Sequence, residues 1–172
     1  RFNSAEYPPT WYYRHQLRLL DYFSTKKEFN FIWKGLLYAD GDINPVPLVI
    51  RERGYSNISI SDKMFLAHLA TADRVITDWG SSAFYESMAA GIPTICISHK
   101  SVQTRPGIKE MFGKSFQEFS DFEDARAKID EFLYSEPSQY ISRLPCNAGN
   151  FIEGLEVLRS KRMAYPASYR NS

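Results

Sequence analysis

The residues most able to do chemistry in this sequence lie in one short turn, Asp78-Trp79-Gly80-Ser81-Ser82. Ser81 or Ser82 is expected to cap a following helix by accepting a hydrogen bond from an unpaired amide. Amides at a helix N-terminus, together with the helix dipole, attract phosphate and other anions. Glu86 follows Ser82 by one helical turn on the same face, where a carboxylate can bind sugar hydroxyls. The turn therefore predicts an anion site or, alternatively, only a helix cap.

Apolar segments on both sides of this turn predict a parallel βαβ unit. The run from 73 to 78 contains Val and Ile and suits a buried strand, with Thr77 and Asp78 at its carboxyl end. Gly91 and Pro93 are expected to stop the following helix, since glycine favours a helix end and proline cannot continue one. Another apolar strand follows at once, and two strands joined by a helix favour parallel pairing.

Four basic side chains lie near or after the ends of predicted strands and are further candidates for ligand contacts. Lys34 stands near the end of one strand, and His99, Lys100 and Arg105 follow another. Ligands of open α/β sheets bind at the carboxyl ends of the strands. Each of these side chains is alternatively a solvated charge in a loop.

The wider pattern predicts an α/β fold with a doubly wound parallel sheet, Rossmann-like, in three layers α/β/α. Strands are expected at 29–37, 57–61, 73–78, 94–98 and 116–119. Helices are expected at 11–23, 45–53, 63–70, 82–90, 106–112, 122–134 and 151–162, with residue 61 or 62 capping the third helix and residue 120 or 121 the sixth. We expect a single domain over 1–163 and a loose tail over 164–172.

Composition excludes several classes of function. The 172 residues carry 21 basic and 20 acidic side chains, a net charge of +1, which argues against a nucleic-acid-binding arm or a polybasic membrane patch. No apolar run reaches the roughly 18 residues of a membrane span. Cys96 and Cys146 give no metal spacing, and Cys96 is expected to be an inert buried thiol. Asp40 and Asp42 flank a glycine, but the later ligands of a calcium loop are absent.

The central unit resembles the donor-nucleotide half of a GT-B glycosyltransferase, close to the CDP-glycerol glycerophosphotransferase-like group of surface-polysaccharide transferases. The resemblance covers roughly residues 9 to 135 and includes the upstream Pro9-Thr10-Trp11 and Trp33-Lys34. Lys34-Gly35 stands where the group usually has a basic residue and then His-Pro. The matching central residues are Ala72-Asp73, Val75-Ile76-Thr77-Asp78, Trp79, Ser81-Ser82, Glu86, Ala89-Ala90-Gly91 and Pro93.

This resemblance implies a domain that binds a nucleotide-activated sugar or polyol phosphate for transfer in cell-surface polysaccharide biosynthesis. Ser81, Ser82 and the turn amides would hold the diphosphate, and Glu86 would hold the ribose. Basic side chains would add positive charge near the phosphates. The candidate donor-binding residues are Lys34, Thr77, Asp78, Gly80, Ser81, Ser82, Glu86, His99 and Lys100; no catalytic residue is assigned.

The resemblance also implies the partners of such a domain. An N-terminal acceptor domain would lie outside this chain, and the acceptor would be a glycan or a lipid-linked molecule. No metal, no cofactor other than the donor and no nucleic acid are expected. The location would be cytoplasmic, including a peripheral position at the inner face of the membrane.

Two other interpretations stay open. One is a nucleotide-sugar epimerase of the same fold, which would need carboxylates and a histidine on both of its domains. The other is a non-catalytic, flavodoxin-like binding or regulatory module. Fold alone does not decide between them, because one fold carries many functions.

Overall fold

The computed structural model describes residues 9–34, 45–102, 104 and 106–141. These residues form an α/β fold in which every strand pairing is parallel. The described chain falls into two compact units that divide between Lys63 and Met64. The predicted fold class is confirmed, and the strands are grouped into two small sheets, one in each unit.

The first unit contains two helices and a two-stranded sheet. In chain order the elements are α1 (Pro9–Ser24), β1 (Phe31–Trp33), α2 (Val46–Arg53) and β2 (Ile58–Ile60). Phe31 lies opposite Ile58 in the register. The buried Asn57 donates its side-chain amide to the carbonyls of Phe23 (3.0 Å) and Lys26 (2.9 Å), and thereby joins the end of α1 to the start of β2.

The second unit contains a three-stranded sheet in the order β3-β4-β5. Cys96 of the central strand lies opposite Thr77 on one side and Phe116 on the other. Its elements are α3 (Phe65–Leu69), β3 (Val75–Thr77), α4 (Ser82–Ala89), β4 (Thr94–His99), α5 (Ile108–Phe112), β5 (Phe116–Phe119) and α6 (Phe122–Tyr134), with short 3-10 turns at Gly113–Ser115 and Pro137–Tyr140.

Helices cover the three-stranded sheet on both faces. On one face, Phe84 and Met88 of α4 and Phe112 of α5 pack against Cys96 and Phe116. Because side chains alternate along β4, Ile95 and Ile97 lie on the other face, where they are fully buried. Helix α6 lies against β4 and β5 and buries its apolar stripe there. The second unit therefore has the α/β/α layering that the sequence predicts.

Several predicted boundaries need correction. Helix α1 begins at Pro9 and continues to Ser24, β1 has only three residues, and β4 extends to His99. The predicted cap of α3 is wrong: the helix begins after Met64, and Ser61 instead accepts a hydrogen bond from the amide of Lys63 (3.1 Å). Strands this short provide too few residues for a periodic pattern to fix their ends.

Some predictions lie outside the described residues. They are Arg105, the Asp40-Gly41-Asp42 loop, Cys146, the helix at 151–162 and the tail at 164–172. The single domain over 1–163 stays a prediction. No helix within the described ranges is both long and apolar enough to cross a membrane.

Candidate functional site

The carboxyl ends of β3, β4 and β5 meet at one edge of the second unit's sheet, because the three strands are parallel. The last residues of these strands are Thr77, His99 and Phe119. Helices α4 and α6 both begin at this edge, after the turns that follow β3 and β5. The edge therefore collects backbone amides and polar side chains from three successive connections.

The β3–α4 connection is a tight turn. The amide of Ser81 donates to the carbonyl of Trp79 (2.8 Å), and Gly80 between them is buried. Ser81 has an extended backbone (φ −88°, ψ 179°) and is the residue immediately before α4. Its carbonyl accepts the amide of Phe84 (3.1 Å), which starts the helical hydrogen bonds. The turn is formed as the sequence predicts.

The start of α4 lacks the predicted side-chain cap. The hydroxyl of Ser81 accepts no capping bond from the helix amides. The amides of Ser82 and Ala83 precede the first intrahelical donor and have no acceptor inside the helix. The side chain of Ser82 is exposed. Ser81 therefore precedes α4 without capping it, and the exposed Ser82 is the first residue of the helix.

The start of α6 at the same edge is closed. The carboxylate of Asp121 accepts the amide of Asp124 (3.0 Å), as the predicted cap requires. The carboxylate of Asp124 in turn accepts the amide of Ser120 (2.9 Å) and pairs with Lys128. The hydrogen bond to Lys128 and that amide hold the pKa of Asp124 below its usual value. Negative side chains of the chain itself therefore occupy this helix N-terminus.

Glu86, Thr77 and Asp78 flank the open start of α4. Glu86 is half-buried and lies one turn after Ser82 on the same side of the helix. Thr77 is buried in the strand, where its hydroxyl makes a long hydrogen bond to the carbonyl of Ile95 (3.5 Å). Asp78 follows Thr77 and is partly exposed. Glu86 and Asp78 are the carboxylates nearest in sequence to Ser81 and Ser82. Thr77 is buried at the end of β3, beneath the turn.

Both ring nitrogens of His99 have partners within the protein. Nε2 lies 3.1 Å from the carbonyl oxygen of Ser120, which can only accept, so Nε2 carries the hydrogen. Nδ1 then accepts from the amide (3.2 Å) and the hydroxyl (2.7 Å) of Ser101. The ring also packs edge-on against Phe119. His99 therefore connects the loop after β4 to the loop after β5.

Lys100 directly follows β4 and lies in a turn. Its amide donates to the carbonyl of Phe119 (2.9 Å), and its side chain is exposed. Within β4, His99 comes off the face opposite to that of Cys96, because side chains alternate along a strand. Lys100 lies at the carboxyl edge, where its backbone is held to β5.

Lys34 belongs to the first unit, where it follows β1 and is half-buried. The other eight candidates all belong to the second unit. Thr77 and His99 end β3 and β4, and Ser82 and Glu86 belong to α4. The other four lie in the connections after β3 and β4: Asp78, Gly80, Ser81 and Lys100.

Glu118 on β5 is a polar residue near this edge that the sequence pattern did not single out as a candidate. Its side chain is only 17% exposed and pairs with Lys109 (2.7 Å), while its second oxygen accepts from Thr104 (3.2 Å). These contacts attach the β4–α5 loop to the sheet on the face that α4 covers. The available signal is that Glu118 is in phase with the buried Phe116, which places a carboxylate on an inward-facing strand position.

Cys96 is not a nucleophile at neutral pH. The thiol is fully buried in the core beneath α4 and belongs to the apolar cluster. Burial raises the pKa of Cys96 to about 12. The predicted inert thiol is therefore confirmed for Cys96. Within the described ranges, no group of three His, Cys, Asp or Glu side chains could hold a metal ion.

Comparison with known proteins identifies no relative: no family model, no curated protein and no solved structure matches the chain.

Proposed function

We propose that the second unit binds the diphosphate of a nucleotide-activated sugar or polyol phosphate at the start of α4. The chain would serve as the donor-binding domain of a GT-B-type glycosyltransferase in cell-surface polysaccharide biosynthesis. An acceptor domain outside this chain would complete the active site. The transferase function rests on the resemblance of the motif, and the anion site rests on the geometry of the turn.

The observation that carries the proposal is the uncapped start of α4 at the carboxyl edge of a parallel sheet. Ligands of open α/β sheets bind at this edge, and phosphates bind at helix N-termini. The chain closes the neighbouring start of α6 with Asp121 but leaves two hydroxyls at α4. Ser81 does not cap α4, and the hydroxyls of Ser81 and Ser82 would therefore serve as donors to an anion at this position.

The roles of the surrounding groups follow from their chemistry. Hydroxyls and amides aimed at the diphosphate would stabilise the negative charge that grows on the leaving group as its bond to the sugar or polyol breaks. Glu86, one turn further along α4, would accept hydrogen bonds from ribose hydroxyls. Lys100 would add positive charge from the neighbouring strand end. Domain closure over the donor would exclude water from the reacting bond.

Calorimetric titration of the chain with nucleoside diphosphates tests the proposal. We expect one of UDP, CDP, GDP or ADP to bind more tightly than the others. The double variant Ser81→Ala/Ser82→Ala should weaken that binding by roughly tenfold or more, because it removes two hydrogen bonds to a charged group. The matched control is Ser138→Ala, which removes an exposed hydroxyl from the 3-10 turn after α6.

The comparison with the corresponding nucleoside is also informative. A diphosphate site should bind the nucleoside far more weakly than the diphosphate, since the main contacts are to phosphate oxygens. If the double serine variant binds as tightly as the unmodified chain, the phosphate is not held at α4 and the assignment is wrong. Equal losses in the double variant and in Ser138→Ala would point to general destabilisation and would equally contradict it.

A second assay separates the transferase from the two other interpretations. The complete enzyme, incubated with the donor and an acceptor glycan, should release the free nucleotide together with an extended acceptor. An epimerase would instead release an epimerised sugar without an acceptor. A binding module would leave the donor unchanged under both conditions.

A further inference from the structure

His99 supplies hydrogen-bond acceptors to the turn at 99–102, which follows β4. Its ring nitrogen Nδ1 accepts from the amide (3.2 Å) and the hydroxyl (2.7 Å) of Ser101. Its backbone carbonyl accepts the amide of Val102 (2.9 Å), which closes the turn. The conformation of this turn therefore depends on both the ring and the backbone of one histidine.

The two ring nitrogens of His99 face partners of opposite kinds. Nε2 lies 3.1 Å from the carbonyl oxygen of Ser120, which can only accept a hydrogen bond. On the other side, the backbone amide of Ser101 can only donate. A neutral imidazole with hydrogen on Nε2 satisfies both, because it donates at one nitrogen and accepts at the other. Edge-on packing against Phe119 supports this orientation of the ring.

Protonation of the ring would disrupt only one of these two sides. An imidazolium carries hydrogen on both nitrogens and accepts at neither. Nε2 donates to Ser120 in either state, so that contact persists. The hydroxyl of Ser101 can rotate to accept from Nδ1, since a hydroxyl is both donor and acceptor. The amide of Ser101 cannot, and two N–H groups would then face each other across 3.2 Å.

The surrounding backbone decides which part of the structure would move. The amide of Lys100 donates to the carbonyl of Phe119 (2.9 Å), which holds the residue before Ser101 to β5. Ser101 itself is exposed, so its amide can bond to water once its acceptor is lost. The movement is therefore expected at Ser101 and not at Ser120.

Charged groups on the neighbouring elements have partners of their own. The charged residues of the elements around the ring are Asp78, Lys100, Glu118, Asp121, Asp124 and Lys128. Glu118 pairs with Lys109 (2.7 Å), and Asp124 pairs with Lys128. The conflict between two donors at Nδ1 follows from protonation itself and does not depend on these charges.

We propose that His99 is a pH switch of the turn at 99–102: the neutral ring holds the amide of Ser101, and the protonated ring releases it while keeping its contact to Ser120. Histidine is the side chain that ordinarily changes charge between about pH 5 and 8, which gives the range in which to look for the change. The switch is independent of the proposed diphosphate site, because it requires no ligand.

A pH titration of the full chain, followed by two-dimensional NMR, tests the switch. At pH 8 the ring nitrogens of His99 should show the tautomer with hydrogen on Nε2. Between pH 8 and pH 5 the amide proton of Ser101 should move upfield with the same midpoint as the ring nitrogens, because it leaves its acceptor. The amide of Lys100 should move much less, since the carbonyl of Phe119 still accepts it.

Three variants show whether the response comes from the ring of His99. His99→Gln should abolish the response of Ser101, because a glutamine side chain does not titrate. The matched control is His68→Gln, which removes a half-buried histidine of α3 and should leave the response unchanged. Ser101→Ala keeps the backbone amide and should keep the response, since the conflict arises at the amide.

Several results would overturn the switch. They are a Ser101 amide that stays in place while the ring titrates, a response that persists in His99→Gln, and a ring that carries its hydrogen on Nδ1 at pH 8. A ring that does not titrate above pH 5 would equally overturn it. So would a loss of dispersion of all amides at the midpoint, because the chain would then unfold as a whole and not release one turn.

Discussion

Single residues at the carboxyl edge have separable roles. Ser82 and Lys100 are exposed and can meet a ligand, whereas Thr77 and Cys96 are buried and form the support beneath it. The types of these residues are readable from the sequence, and so is the strand, turn or helix to which each belongs. The partners of His99 and Glu118 are not, because Ser120 and Lys109 lie in other connections and are brought close only by the strand register.

The buried thiol gives a prediction at this scale. In a Cys146→Ser variant, so that Cys96 is the only thiol, Cys96 should not react with a thiol reagent at pH 8 until the chain is unfolded in urea. The reason is that the side chain is inaccessible and burial raises the pKa of Cys96 to about 12. The measurement is the absorbance of the released chromophore with and without denaturant.

The same shift sets a direction for stability at high pH. An unfolded cysteine ionises near pH ~8.5, whereas the folded thiol keeps its proton to about pH 12. The folded state then binds more protons than the unfolded state, so the contribution of Cys96 to stability falls as pH rises through this window. Rapid labelling of Cys96 in the folded chain at pH 8 would contradict the burial of this thiol.

At the scale of elements, local sequence signals predict several helix and strand bounds. Contacts that form only in the folded chain decide the rest. Helix α6 has the predicted bounds because Asp121 caps it and its apolar residues recur at helical spacing. Strand β5 also has the predicted bounds. The uncapped start of α4 could not be read from sequence, since Ser81 has a suitable side chain for a cap and only its orientation decides. Similar sequence signals therefore gave a closed helix start at α6 and an open one at α4.

This difference predicts unequal costs of removing the two side chains. Asp121→Ala should lower the free energy of unfolding by about 1 kcal/mol, because an amide of α6 loses its acceptor. Ser81→Ala should change it by less than about 0.5 kcal/mol, because that hydroxyl caps nothing. Urea unfolding of the two variants beside the unmodified chain measures both values.

The outcome discriminates between a ligand-binding serine and a structural one. A loss for Ser81→Ala as large as that for Asp121→Ala would assign Ser81 to helix capping. The phosphate role of Ser81 would then lose its structural support. Ser138→Ala serves here as the control for a solvent-exposed hydroxyl.

At the scale of the whole molecule, the alternation of strands and helices predicts the α/β class. The grouping of the strands depends on long-range pairing, which periodicity does not encode. Arg74 is an example of such a long-range link: its guanidinium donates to the carbonyls of Phe132 and Ser135 (2.8 Å each), and lies over the Phe132 ring. These contacts join the start of β3 to the end of α6 across about 60 residues of sequence, and burial lowers the pKa of Arg74.

The central claim is that the chain binds a nucleoside diphosphate at the start of α4. The most direct measurement is a two-dimensional amide NMR titration of the full chain with UDP, CDP, GDP and ADP, with the nucleosides as controls. We expect one diphosphate to shift the amides of Gly80 to Glu86 and of Lys100, with smaller changes elsewhere. Shifts confined to the closed start of α6, or no shifts with any diphosphate at millimolar concentration, would contradict the account.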